Sequence, residues 1–535
     1  MANVLIDQRE IEIPDGRRIN AIAAARLAGI EIPHYCWHPG LSVVGSCRMC
    51  LIETGTRDAA TGRINMVPKL MPACNTLVGE GTVLVTNSEK VQRARAMVEE
   101  GLLLRHPIDC PICDKAGECL LQDYHFQYGQ DERRADVRPF SSRRRDVGPE
   151  VTLFVDRCIQ CSRCVRFTRE ISGTAELLVT ERGAHAEIDV VAGFPLSNNL
   201  SGNVVDLCPV GALGDKDFLY RQRVWFMRRH AAVCTGCATG CSIWVEENQD
   251  RIYRLKPREN PAVNQWWICN QGRYGYPHVH DPARLTEPLR RDGQSVVALD
   301  WAAAVGELDG RLRAAKRLAA VVSPHATVEE AYLLCRYIRQ LDETAPLVLG
   351  PVPTVGHDER FPNGFTISAE RCPNRRGVEE VIAHFADRVV TWDEFLPQLD
   401  KGEVRAVWVS GGYPGDWIDE PTAGRFATLS LLVVSDMFPS PLAERAHYQL
   451  PGPAFAERDG PYVNRSDRLQ TARRAIRPPA GVRTEASLLW SMLGRPGLYQ
   501  QATVLDELAR EIPYFRAAIG GVPEVGVDLK VYLLA

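Results

Sequence analysis

Hydrophobic and polar positions change rhythm several times along this chain. Near the start, Val4-Leu5-Ile6 and Ile11-Glu12-Ile13 are short runs of strand type, followed by a turn signal at Pro14-Asp15-Gly16 and an alanine-rich helical stretch at 19–28. A hairpin leading into a helix predicts a small α+β domain over residues 1–85. Residues 87–105 place a polar cap before helix-forming residues and stop just before His106-Pro107, because a residue preceding proline disfavours helical backbone. Beyond residue 282, strand-like runs at 318–322, 347–349, 406–410 and 431–434 alternate with helical patterns at 328–341 and 377–385. That alternation predicts a mostly parallel α/β domain. Residues 131–146 follow neither period and hold six arginines among four acids. They are expected to form a solvated linker, with a docking surface for another chain as the alternative. No internal repeat or low-complexity tract interrupts the pattern.

Composition narrows the class. At 535 residues the chain exceeds one core and calls for several domains. Its 63 Lys and Arg against 67 Asp and Glu leave a formal charge of -4, which favours neither nucleic acid nor an anionic membrane surface. No apolar run approaches the roughly 20 residues that span a bilayer, and the N-terminus lacks a basic region followed by an apolar stretch. A cytosolic chain that meets a membrane only through partners is expected. Seventeen cysteines in such a chain point to metal ligation before disulfides. Fifteen of them lie between Cys36 and Cys269, so the two halves are expected to do different work.

Those fifteen cysteines and one histidine fall into four sets. Cys36, Cys47, Cys50 and Cys74 place a CxxC pair between two distant cysteines, as in a plant-type [2Fe–2S] loop, although ten residues rather than four precede the pair. Gly40 and Gly45 are expected to let backbone amides turn towards the cluster sulfurs. His106, Cys110, Cys113 and Cys119 give a His-Cys₃ set. Cys158, Cys161 and Cys164 form CxxCxxC, closed by the remote Cys208-Pro209, the pattern of bacterial [4Fe–4S] ferredoxins. Cys234, Cys237 and Cys241 form CxxCxxxC, with Cys269 following 28 residues later. There Gly236 and Gly240 are expected to relieve crowding over the cluster. Each set alone also leaves tetrahedral zinc open. Four in succession on ferredoxin-type modules are the layout of an electron wire. Cys335 and Cys372 are expected to be packing residues.

In this order the motifs resemble the large iron–sulfur subunit of bacterial respiratory NADH–quinone oxidoreductase, complex I. The likeness is strong over residues 1–282 and weaker beyond. It implies an α+β multidomain fold: a [2Fe–2S] ferredoxin-like (β-grasp) domain at 1–85, a His-Cys₃ helical segment at 86–126 and a bacterial-ferredoxin-like [4Fe–4S] domain at 150–225. A molybdopterin oxidoreductase-type [4Fe–4S] domain at 226–282 and a degenerate α/β domain at 283–535 complete it. It further implies one [2Fe–2S] and three [4Fe–4S] clusters on the sixteen residues, with electrons arriving from NADH through FMN on a neighbouring subunit and leaving towards quinone. The implied partners are the other peripheral-arm subunits, on the cytoplasmic side of the inner membrane, with no nucleic acid and no complete substrate site in this chain.

Beyond Cys269, RLTEPLRRDGQ near Arg284 and FAERDGPYVNRSDRLQ at 455–470 resemble the molybdopterin superfamily. Cys372, 103 residues after Cys269, is the only plausible metal ligand there, and about 65 residues follow Gln470, which is expected to be too few for a closing domain. No molybdopterin is expected, and the strand and glycines at 407–412 predict a vestigial site. The alternative function is a subunit of an NAD-linked molybdopterin formate dehydrogenase. An iron hydrogenase requires a further cysteine set, and a zinc-stabilised scaffold would be colourless.

Overall fold

The two N-terminal apolar runs pair as a hairpin, β1 (Ala2–Ile6) with β2 (Arg9–Ile13), in antiparallel register Ile6 to Arg9. The hairpin turns at Asp7 and Gln8, both with positive φ, and the Pro14-Asp15-Gly16 signal follows the second strand. The computed structural model describes residues 2–14, 19–132, 134–141, 144–181, 183–293 and 295–532, so Asp15 and Gly16 lie outside the described residues. Two compact units make up the chain: residues 1–227 with 361–363, and residues 228–360 with 364–535.

In the first unit, β1 and β2 join β3 (Leu51–Arg57), β4 (Ile64–Met66), β5 (Met71–Pro72) and β6 (Thr82–Val85) in one sheet. Its order is β2-β1-β6-β3-β4, with β5 on β3; β1 runs parallel to β6 and the other pairs are antiparallel. Helix α1 (Ala21–Leu27) is narrower than the alanine-rich pattern because Asn20 caps it, accepting from the Ala23 amide. Helix α2 (Glu89–Leu103) is likewise capped by Ser88. Next come α3 (Leu120–Tyr128), β7 (Arg144–Asp146), β8 (Val151–Phe154), α4 (Arg163–Glu170), β9 (Leu177–Thr180), β10 (Glu187–Val190), α5 (Asn203–Leu207) and β11 (Leu213–Asp215). Strands β11, β8 and β7 form one small sheet, and β10 and β9 another. The arginine-rich segment is exposed at all its described residues but Val137 and Arg145, as expected of a solvated linker. Its end is β7, Arg134 pairs with Glu100, and Arg145 reaches Glu187 at 2.9 Å and Asp189 at 2.5 Å, while Arg133, Ser142 and Arg143 lie outside the described residues.

The second unit opens with the meander β12 (Arg228–Val233), β13 (Ser242–Asn248) and β14 (Arg251–Pro257), then α6 (Asn270–Tyr274). Its α/β part runs β15 (Leu289–Asp292), β16 (Ser295–Ala298), α7 (Trp301–Ala314), β17 (Leu318–Val322), α8 (Val328–Leu341), β18 (Leu347–Leu349), β19 (Glu359–Arg360) and β20 (Thr366–Ile367). It continues with α9 (Arg375–Phe385), α10 (Trp392–Asp400), β21 (Ala406–Ser410), α11 (Glu420–Gly424), β22 (Leu431–Asp436), β23 (Tyr448–Pro451), β24 (Gly460–Val463), β25 (Arg468–Ala472), α12 (Glu485–Met492), α13 (Gln501–Glu511) and β26 (Val527–Asp528). Strands β23-β22-β21-β17-β18 are parallel neighbours, with β15 and β16 antiparallel at one edge. Every residue of β17 and β21 is buried, because helices cover both faces of such a sheet. The period of two divides the core: Ala320, Val322, Trp408 and Val433 enter one cluster, and Ala319, Val321, Val409 and Val434 enter the other. The two superfamily-like segments meet inside this unit, where the buried Arg284 guanidinium grips the Glu457 carboxylate, Nη2 to Oε2 at 2.7 Å. Among the described residues, no helix is long and apolar enough to cross a membrane.

Candidate metal centres

Strand pairing assembles the first set. Cys50 precedes β3 and Cys74 follows β5; the Leu51–Pro72 register and the Ala73 amide on the Cys50 carbonyl, at 2.9 Å, draw the two cysteines together. The α1 cap Asn20 adds a bond from Nδ2 to the Cys74 carbonyl at 3.0 Å. The thiols of Cys36 and Cys47 lie within hydrogen-bond reach of each other, as do those of Cys50 and Cys74. Donation from Cys47 holds Cys36 down at about 5, and donation from Cys50 lowers Cys74. Gly45, just before the pair, and Arg48, inside it, have φ near +60°, turning the chain on either side of Cys47. Gly40 does otherwise: its amide donates to His38 Nδ1 at 3.1 Å.

The second set is the most exposed of the four. His106 is half-buried, yet its Nδ1 is shielded from solvent and has no hydrogen-bond partner, and burial lowers its pKa so that the neutral ring is favoured. Cys110 and Cys113 sit on a turn closed by the Cys113 amide on the Asp109 carbonyl at 2.8 Å. Arg157 anchors that turn through Asp109, at 3.0 Å from Nη2 to Oδ2. Cys119 stands at the N-terminus of α3, and burial pushes its thiol up to about 11.

The third set is held by β8 and β11. Their pairing, Leu153 to Leu213, brings the loop after β8 with Cys158, Cys161 and Cys164 to the loop before β11 with Cys208. Gln160 and Ser162 adopt φ of 53° and 58° between the cysteines, and the Gln160 amide points at Cys158 Sγ, 3.4 Å away. Burial is the largest influence on Cys158, Cys161 and Cys164, followed by repulsion among the set including Cys208, and it raises Cys161 to about 11 and the other two further.

The fourth set lies in the second unit, at the tip of the β12–β13 hairpin. There the Cys234 amide donates to the Cys241 carbonyl at 2.8 Å, and Cys269 caps α6 with the Gly272 amide 3.3 Å from its sulfur. Cys234, Cys237, Cys241 and Cys269 act on one another electrostatically; burial raises Cys269 to about 12 and lifts Cys234 and Cys241 higher. A methyl group on Gly236 would meet Cys234 Sγ at an ordinary 3.6 Å, so crowding is not what glycine relieves there; at Gly240 it is φ of +61°. Gln470 of the second superfamily-like segment supports this loop, Nε2 donating to the Gly240 carbonyl at 2.7 Å.

The donor chemistry of all four sets fits a cationic metal group. Buried thiols that raise one another's pKa are costly to ionise alone, whereas bound metal deprotonates a coordinating thiol outright. Among the described residues, no three or more His, Cys, Asp or Glu side chains close on a point sized for a single ion. Cys335, inside α8, and Cys372, 3.6 Å from Glu370 Oε1, are both fully buried and stand apart from the sets.

Contacts between sets, which spacing does not reveal, order the first unit. Arg166 on α4 donates through Nη2 to the carbonyls of both Cys36 and Cys161, joining the first set to the third. The Leu120 amide, next to Cys119, donates to the Pro209 carbonyl, next to Cys208, at 2.9 Å, and a methyl group on Gly211 would lie 2.1 Å from Cys113 Sγ. The third set thus touches both the first and the second. The helical spacing of Arg163, inside the CxxCxxC, and of Arg166 and Glu170 just after it was the available signal for the first of these links.

Family models match in the same order: a 2Fe-2S iron-sulfur cluster binding domain at 1–89, the NADH-ubiquinone oxidoreductase-G iron-sulfur binding region at 95–134, and the ferredoxin-like domain of NADH-quinone oxidoreductase subunit 3 at 148–214. The molybdopterin oxidoreductase Fe4S4 domain follows at 227–281, and the molybdopterin oxidoreductase model at 382–493. The chain is 34% identical over 343 residues to the G subunit of the NADH-quinone oxidoreductase of Rickettsia bellii, covering 64% of this chain and 48% of that one. It is 37% identical over 300 residues to the mitochondrial NADH-ubiquinone oxidoreductase 78 kDa subunit of Candida albicans, covering 56% and 40%. The chain thus spans about half the length of the curated relatives it matches. Among solved structures, a chain of an NAD+-reducing [NiFe]-hydrogenase in the H2-reduced state matches 42% of this chain and 91% of its own, at 28% identity and a TM-score of 0.35.

Proposed function

We propose that this chain is the electron-carrying iron–sulfur subunit of an NADH–quinone oxidoreductase of complex I type. In that role it takes electrons from a neighbouring FMN- and NADH-binding subunit and delivers them towards quinone. It works with the other peripheral-arm subunits, on the cytoplasmic side of the inner membrane, and has no substrate site of its own. In this reading residues 1–85 hold a [2Fe–2S] group on Cys36, Cys47, Cys50 and Cys74. Three [4Fe–4S] groups follow: at 86–126 on His106, Cys110, Cys113 and Cys119; at 150–225 on Cys158, Cys161, Cys164 and Cys208; and at 226–282 on Cys234, Cys237, Cys241 and Cys269. Residues 283–535 serve as scaffold.

When bound, such groups supply one-electron carriers of tunable potential. The chain's own part is to provide fifteen thiolates and one imidazole, to aim the amides of Gln160 and Gly272 at the sulfurs of Cys158 and Cys269, and to shield the buried cysteines from water. The observation that carries the reading is adjacency: one guanidinium touches Cys36 and Cys161, and Gly211 lies against Cys113, so the first three sites form a single succession. Replacing Cys161 with Ala tests it. In the assembled enzyme, NADH–quinone activity should collapse with one [4Fe–4S] signal while NADH–ferricyanide activity, drawn upstream, survives; loss of both activities with the complex intact contradicts this order. The matches to molybdopterin models at 227–281 and 382–493 favour a second reading, a subunit of an NAD-linked molybdopterin formate dehydrogenase, and molybdenum analysis separates the two.

A further inference from the structure

Helix α4 presents Arg163, Arg166 and Glu170 at i, i+3 and i+7, a spacing that puts all three on one face. That face covers the loop carrying Cys36. Arg163 Nη2 donates to the Trp37 carbonyl at 2.7 Å and Nη1 to the Leu207 carbonyl, beside Cys208, at 3.2 Å. Arg166 Nη1 donates to the Ser42 carbonyl, and its Nη2 is shared between the Cys36 and Cys161 carbonyls. Glu170 closes the same loop from outside, accepting from the Ser42 amide at 2.8 Å.

Both guanidinium groups are buried, at 6% and 8% exposure, and the Nε of each has no partner. All their hydrogen bonds go to neutral carbonyls; among the described residues, neither forms an ion pair with a carboxylate. Two buried cations without a counter-charge are costly. The anions in position to balance them are cysteine sulfurs. Arg166 reaches the carbonyls of Cys36 and Cys161 themselves, and Arg163 the carbonyl of Leu207 just before Cys208, so both charges lie beside those residues. A four-thiolate iron–sulfur group is a net anion and becomes more negative on reduction, so a fixed cation beside it favours the reduced form.

Resting on the function proposed above, we infer that Arg163 and Arg166 are positioning residues. They form a cationic bridge that serves as shared counter-charge to the first and third sites, raises the midpoint potentials of both, and keeps the two loops in register for transfer. A unit charge about 10 Å away at an effective dielectric of about 20 is worth roughly a tenfold change in the reduced-to-oxidised ratio at fixed potential, or about 59 mV for a one-electron couple.

The test is an EPR-monitored redox titration of the full-length, anaerobically purified chain, unvaried and as Arg166→Gln. Both midpoints, [2Fe–2S] and the Cys158-set [4Fe–4S], should fall by that tenfold ratio, with iron content unchanged. An unvaried chain lacking these two signals overturns the function on which the inference rests. Both signals present, with midpoints in Arg166→Gln matching the unvaried chain or only one of them moving, overturns the bridge alone. If Arg166→Gln fails to retain the two groups, Arg166→Lys decides, because it keeps the charge without the forked donors. Midpoints within about threefold of the unvaried ratio then support the counter-charge role. A tenfold fall in the lysine chain, or loss of both groups there too, makes Arg166 a folding contact and overturns it.

Discussion

Gly211→Ala is the substitution whose effect follows most directly from the geometry of the second site. The new methyl carbon would lie 2.1 Å from Cys113 Sγ, whereas real Cβ atoms essentially never approach another heavy atom closer than 3.0 Å, so something must move by roughly an ångström. The φ of Gly211 is not positive, so alanine meets no backbone penalty and the clash is the whole effect. What it costs depends on Cys113. A free thiol swings to another rotamer for about 0.5–1.5 kcal/mol. A thiolate tied into a cluster has no such escape: overpacking of about 1–3 kcal/mol then falls on the metal site itself. Gly211→Ala should therefore lose the His-Cys₃ cluster, with iron falling by about four per chain, while the signals of the other sites persist. Gly236→Ala is the internal control, since its methyl group would meet Cys234 Sγ at 3.6 Å; it should keep full iron. Iron analysis and EPR on anaerobically purified variants make the comparison. Full iron and an unchanged set of signals in Gly211→Ala would show that Cys113 is free to move and is not a ligand.

His106→Cys should retain a cluster at a lower potential, because an anionic sulfur in place of neutral imidazole stabilises the oxidised state; an unchanged potential in a redox titration would make His106 structural only. Cys372→Ala should leave iron content and NADH–quinone activity near wild type, since its fully buried sulfur lies apart from the four sets; stoichiometric molybdenum or tungsten lost in that variant would favour the formate dehydrogenase reading instead.

What the sequence made legible was local. Strands 318–322, 347–349 and 406–410 appear at the expected residues because a parallel sheet covered on both faces demands uninterrupted apolar runs, and the run starting at 431 continues two residues further, to Asp436. The approach of Cys50 to Cys74 and of Cys234 to Cys241 was legible for a similar reason, since strand pairing and a short hairpin return such cysteines to one place. The turn inside the hairpin, at Asp7 and Gln8, was not legible: aspartate tolerates positive φ, but Asp-Gln is a weaker turn signal than the Pro-Asp-Gly that follows the second strand. The links between sets were not legible. Gly211 and Cys113 lie 98 positions apart, and Arg166 meets a carbonyl 130 residues away; only the packing of α4 and the β8–β11 pairing brings them together. The arginine-rich segment is exposed, as a solvated linker should be, but its pairing with Glu100, Glu187 and Asp189 was not legible, since none of these is near in sequence.

Iron and acid-labile sulfide quantitation, with EPR on the same anaerobically purified full-length chain, tests the central claim most directly. One [2Fe–2S] and three [4Fe–4S] groups predict about fourteen irons per chain, and signals of both cluster types on reduction. A colourless protein, or zinc filling any one of the four sets at full occupancy, would contradict it.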